Sequence, residues 1–149
     1  MHNRINIIFY TLLTVYLFVG IILSINTAIS FDEFHEQRTW EVNIKAIKSF
    51  FVDNNGYEEL LVYKDRYFGI AFHLLTQPIQ FLTFDFVGEI NKISDEYAYL
   101  VSRHISFFLI FTLSGIFFYK ICFKISNNYY FSILGSTIYL LYPYLFGHA

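Results

Sequence analysis

The sequence predicts an all-α membrane protein. Two observations carry that reading. Of 149 residues, 56% are hydrophobic and only 15% are charged, where an average soluble domain has about 25% charged. The apolar residues are also gathered into long blocks, while the charges collect between them. A single membrane domain over 1–149 is expected, with spans at 5–25, 100–123 and 129–146. Between the first two lies an external loop, 26–98, that carries amphipathic and re-entrant or juxtamembrane helices.

The first span, Ile5 to Ile25, has 21 residues, and about 20 cover a hydrocarbon core of ~30 Å. It exceeds the roughly 7–15 apolar residues of a cleaved signal peptide, and no clear A-x-A site follows. An uncleaved anchor is therefore preferred. Its hydroxyls, Thr11, Thr14 and Ser24, suit bonds within the helix or to a neighbouring one.

The stretch 26–66 holds eight of the twelve acidic residues and five of the ten basic ones. Trp40, Ile44, Ile47 and Phe51 recur there at spacings of three or four, with charged residues between them. That is an amphipathic helix over Glu36 to Phe51, suited to the membrane surface with its aromatics dipped in. Asp53-Asn54-Asn55-Gly56 ends it. Tyr57 to Tyr63 is a further short helix or strand. Tyr67 to Val87 is apolar enough for a span, yet it contains His73, Gln77, Pro78, Gln80 and Asp85. Polar side chains are costly in lipid, and proline removes a helical hydrogen bond, so this segment reads as re-entrant or juxtamembrane.

Leu100 to Phe123 is the second span, with Arg103 and His104 near its start. Ser126-Asn127-Asn128 makes a turn, and Tyr129 to Phe146 is the third span, with Pro143 near its end. If Tyr67 to Val87 does not cross, then Arg4, Lys120 and Lys124 share one side, and all twelve acidic residues lie on the other. The positive-inside rule then puts the amino terminus in the cytoplasm. Asp32, Glu33, His35, Arg103, His104 and His148 come together near the outer face.

The net charge of −2 suggests no nucleic-acid partner. Cys122 is the only cysteine, so no internal disulfide can form. The candidate catalytic residues are Asp32 and Glu33, a carboxylate pair at a low-dielectric boundary. Such a pair serves as a general base, or else as a solvated stop to the first helix. Candidate substrate-binding residues are His35, Tyr67, Arg103, His104 and His148. An arginine at the mouth of a span pairs readily with phosphate, or snorkels to a lipid headgroup. His104 alone says little. Tyr67-Phe68-Gly69 either brings backbone close to a ligand or merely starts a helix. Asp32, Glu33 and His35 crowd too closely to be a specific metal signature. No cofactor is expected, with a divalent metal left open.

Taken in order, these features resemble the glycosyltransferase C superfamily, and within it the protein-mannosyltransferase-like group and its bacterial relatives. The likeness rests on Asp32-Glu33 with His35 after the first span, and on Tyr67-Phe68-Gly69 with one residue inserted. It also rests on Arg103-His104 opening a span, Lys120 and Lys124 closing it, and Tyr142-Pro143 with Gly147-His148 ending the next. The resemblance implies transfer of a sugar from a polyprenyl-phosphate lipid to an acceptor on the outer side of a bacterial plasma membrane. Asp32 would be the acceptor-activating base, and Arg103 would lie close to the lipid phosphate. Such enzymes have many more spans, and a further acidic residue beyond the element matching Gly147-His148-Ala149, so an amino-terminal fragment is expected. Two other classes stay open. One is a non-catalytic membrane subunit that binds a partner through its acidic loop. The other is a transport component with Arg103 and Asp85 on a polar path. The oligomeric state is not specified by the sequence.

Overall fold

The computed structural model describes residues 2–52, 57–91 and 94–142, the side chains of 2–6 and 90–91 aside. All its regular structure is helical: α1 (His2–Asn26), α2 (Phe31–Val52), α3 (Tyr57–Val62), α4 (Ala71–Asn91), α5 (Asp95–Ser126) and α6 (Tyr129–Leu141). The 57–63 stretch, left open between helix and strand by its sequence, is thus helical over Tyr57–Val62.

The architecture centres on α5, whose 32 residues extend about 48 Å at 1.5 Å per residue. α1 runs antiparallel to it. The Ser24 carbonyl meets the His104 ring at 3.3 Å, and Phe9 stacks on Tyr119 with ring centroids 4.0 Å apart. Gly20 allows this approach, because a Cβ there would sit 1.8 Å from the Phe108 ring. α6 returns antiparallel on the second half of α5, with Tyr129 against Phe123 and Tyr139 against Phe118. Hydroxyls join these helices. Ser136 donates to the Gly115 carbonyl at 2.9 Å, Tyr16 donates to the Leu140 carbonyl at 3.0 Å, and Ser114 lies 2.8 Å from the Tyr139 hydroxyl. Small residues and hydroxyls at helix contacts are the usual means of joining helices where both surroundings and surface are apolar.

The turn between α5 and α6 is built by two asparagines. Asn127 takes the left-handed conformation, φ 49°, and its N–H donates to the Phe123 carbonyl. The Asn128 side chain accepts from the N–H groups of Tyr130 and Phe131. Asparagine tolerates the first position and caps a helix at the second.

α4 pairs with the first half of α5. Gln80 Nε2 donates to the Tyr99 carbonyl at 2.8 Å, and Val87 packs with Ala98, Val101 and Ile105. Pro78 lies inside α4 without ending it. It deprives the Leu74 carbonyl of its usual donor, and packing on α5 carries the helix past that loss.

Two helices are long and apolar enough to cross a membrane: Ile7–Asn26 of α1, and α5. α6 is apolar but has 13 described residues, about 20 Å of helix. The remainder of the expected third span, together with Pro143, Gly147 and His148, lies outside the described residues.

α2 departs from expectation at its start. The acidic pair expected in a loop forms the first turn of the helix. Ser30-Phe31-Asp32-Glu33 is an S-x-x-E sequence, and Glu33 Oε1 accepts from the Ser30 N–H at 2.7 Å, as the glutamate of a capping box does. The expected lipid-facing stripe is also divided: Trp40 is buried, whereas Ile47 and Phe51 are exposed. Small residues at Thr39, Val42, Ala46 and Ser49 make the buried face. α3 packs along α2, held by Glu59, which receives Arg38 Nη2 at 2.6 Å and Lys45 Nζ at 2.7 Å.

Candidate functional site

Polar groups gather at the end of the bundle where α1 finishes and α5 begins. Glu33 is the hinge of the arrangement. One of its oxygens caps α2, and the other lies 2.5 Å from His104 Nε2. His104 in turn faces the Ser24 carbonyl through Nδ1. A single carboxylate therefore both starts α2 and seats it where α1 and α5 meet.

One turn further along α2, Gln37 Oε1 accepts from Arg103 Nη2. Arg103 is 2% exposed and lies over the Tyr99 ring, its Cζ 5.7 Å from the centroid. Its Nε and Nη1 have no hydrogen-bond partner among the described residues. The carboxylates of Glu36 and Glu33 act on its charge from α2. Tyr99 donates to Gln77 Oε1 at 3.3 Å, which extends the polar group onto α4.

His73 completes the cluster. Its ring stands between Trp40, 6.0 Å away and stacked, and Phe107, 5.3 Å away and edge-on. Its Nε2 lies 3.9 Å from Glu36 Oε2 and makes no hydrogen bond among the described residues. Burial, helped by the charge of Arg103, pushes its pKa down to about 4, so the ring is neutral at physiological pH.

The sequence-derived candidates divide into three groups. Glu33, Arg103 and His104 come together as described. Asp32 is exposed on the first turn of α2, turned about 100° around the helix from Glu33. His35 points elsewhere, to Asp65 Oδ2 at 2.8 Å, and so ties α2 to the segment before α4. Tyr67 precedes α4 instead of opening it; its ring is exposed and its hydroxyl accepts from Arg66 Nη2 at 3.0 Å. His148 lies outside the described residues. Asp85 is exposed on α4. Among the described residues no three His, Cys, Asp or Glu side chains are grouped to hold a metal ion. The helix itself explains this for Asp32, Glu33 and His35, since it fans them to different sides.

Gln37, His73, Gln77, Tyr99 and Glu36 were not expected in the cluster. The signal was present in spacing. Glu33 and Gln37 are four apart, as are Tyr99 and Arg103, while Gln77 and Gln80 are three apart; each pair shares one face of its helix.

Deeper in the bundle, α1 and α6 leave an apolar groove of about 270 Å³, lined by Phe9, Leu13, Tyr16, Val19, Ser136 and Leu140 among others.

A buried guanidinium with two of its three nitrogens unpartnered among the described residues is suited to an anion. Phosphate or carboxylate oxygens would satisfy what the protein leaves open. Comparison with known protein families, with curated proteins and with solved structures finds no match for the chain.

Proposed function

We propose that this chain belongs to a membrane glycosyltransferase that takes a sugar from a polyprenyl-phosphate lipid to an acceptor on the outer face. The observation that carries the reading is Arg103. A charge this deeply buried, with Nε and Nη1 unpartnered, is costly to keep unless a ligand oxygen meets it. In this reading the lipid phosphate is that ligand. Gln37 and the Tyr99 ring hold the guanidinium in place, and Glu33 and His104 fix α2 beside it. Asp32, left free because Glu33 does the capping, takes the acceptor's proton. The groove between α1 and α6 would receive part of the isoprenoid chain.

The same reading places three spans in the bilayer, with the amino terminus in the cytoplasm and the polar cluster on the outer side of a bacterial plasma membrane. Only 22% of the first spanning window and 33% of the second is buried within the fold. Helices this apolar and this uncovered are suited to lipid around them. α4 follows only the first half of α5, as a juxtamembrane helix would.

The test is lipid retention. With the chain in nanodiscs, a polyprenyl monophosphate should be retained and the matching polyprenol should not. Arg103→Gln should weaken retention of the phosphate at least ~10-fold, the size of one charge-assisted contact. Equal retention of phosphate and alcohol would refute the reading. It would leave the alternative of a non-catalytic subunit that presents its acidic helices to a partner. Sugar transfer from the corresponding polyprenyl-phosphate sugar, with polyprenyl phosphate as the leaving group, should vanish in Asp32→Asn.

A further inference from the structure

One face of α2 has two halves. Glu33, Gln37 and Trp40 turn toward α5 and α4, and cover His104, Arg103 and His73. The same four-three-four spacing continues through Ile44, Ile47 and Phe51. These lie on the same face of the helix, but past the edge of the bundle. Ile47 is 42% exposed and Phe51 81%, with Phe50 exposed beside them. The face opposite this strip carries Lys45, flanked by Glu41 and Lys48, all exposed.

Direction and level identify what lies against the apolar half. α2 meets α5 through about one turn of its own, with Glu33, Phe34 and Gln37 reaching His104, Tyr97 and Arg103. That is the contact of a helix crossing another, not running along it. The crossing occurs where α1 ends, since His104 also meets the Ser24 carbonyl. If α5 crosses a bilayer, α2 lies in the plane of its boundary. The face that its first half turns toward the bundle is then turned toward lipid by its second half.

We propose that the second half of α2 is an interfacial anchor, with Ile44, Ile47, Phe50 and Phe51 resting in the lipid beside the bundle and Lys45 on the water side. The inference rests on the membrane-spanning part of the function proposed above. Its consequence is mechanical: lipid holds one half of α2 while Glu33 and Gln37 hold the other half over Arg103.

Nitroxide labels test it. Single cysteines are introduced at Ile47, Phe51 and Lys45 in the Cys122→Ser chain, reconstituted in phosphatidylcholine vesicles, with Phe18→Cys on α1 as a depth reference. All four sites are exposed, so the labels do not disturb packing. Labels at 47 and 51 should be more accessible to oxygen than to a water-soluble nickel complex, and the label at 45 the reverse. Preference for nickel at 47 and 51, with Phe18 still in lipid, overturns the anchor alone. Labels immobilised and shielded from both reagents also overturn it, since protein then covers the face. A nickel-accessible Phe18 removes the spanning reading, and the anchor with it.

Discussion

Arg103 poses the sharpest question at the scale of single residues. Its side chain is buried, its accepting partner is the neutral Gln37, and two of its nitrogens have no partner among the described residues. A buried ion pair that exists for stability costs ~3–5 kcal/mol to break. A guanidinium kept for a ligand behaves differently, because removing it relieves a desolvated charge. Arg103→Met should therefore change stability in detergent by under ~1 kcal/mol, because relief of the desolvated charge offsets the lost hydrogen bond to Gln37. A loss of several kcal/mol on thermal unfolding would show that the residue is structural. His73 supplies a second test. Its pKa falls from 6.5 to about 4 on folding. Between those values the unfolded chain holds a proton that the folded chain does not. Its contribution is thus complete above pH 6.5 and is lost as the pH drops toward about 4. One unit corresponds to ~1.4 kcal/mol, and Glu36, 3.9 Å away, works against the shift. A loss of roughly 2 kcal/mol on going from neutral pH to the acid side is expected, and His73→Gln should remove that part of the slope. Unchanged pH dependence in the variant would place the ring in water.

Helix contacts set the next scale. Gly20 lies under the Phe108 ring and Gly115 under Leu140, each too close for a Cβ. Alanine in an exposed helix gains ~1 kcal/mol over glycine. At Gly20 the sign should reverse, with a net loss of ~1–2 kcal/mol from overpacking. Gly20→Ala with Phe108→Leu should recover most of it, and additive losses in the double variant would deny the contact. Such contacts are not legible in sequence, since Gly20 and Gly69 look alike there and nothing lies near a Cβ at Gly69. Other features of the elements were legible. The apolar runs of α1 and α5 and the Ser126-Asn127-Asn128 turn follow from composition and from the special tolerance of asparagine. The start of α2 was written in Ser30-x-x-Glu33 but was obscured by the charged pair, which reads as loop. Pro78 suggested a break in α4, and side-by-side packing on α5 outweighed one lost hydrogen bond. Neither Gln37 nor His73 stands out alone. Each becomes a neighbour of Arg103 only when α2 crosses α5 and α4 lies alongside it, and no local pattern specifies those crossings.

At the scale of the whole molecule, the antiparallel pairing of α1 with α5 constrains any topology. Ser24 meets His104 and Phe9 meets Tyr119, so the end of α1 and the start of α5 are at one end of the bundle. If α1 and α5 both cross a bilayer, a further crossing by Tyr67 to Val87 would put those two ends in opposite leaflets, where neither contact could form. The charges agree with a single orientation, because Lys120 and Lys124 lie at the far end of α5, away from the acidic helices. Lysines near the ends of spans favour the cytoplasm. The expected outcome is specific. In intact cells, with Cys122→Ser as background, a membrane-impermeant maleimide should label cysteines placed at Thr27 and Tyr97, and should reach Ser126→Cys only after lysis. All three positions are exposed in the fold, so shielding by protein does not confuse the result. Labelling of Thr27 and Ser126 together from outside would mean that α1 and α5 do not both cross. Labelling of Thr27 without Tyr97 would separate Glu33 from His104 by a membrane's thickness and dismantle the cluster around Arg103.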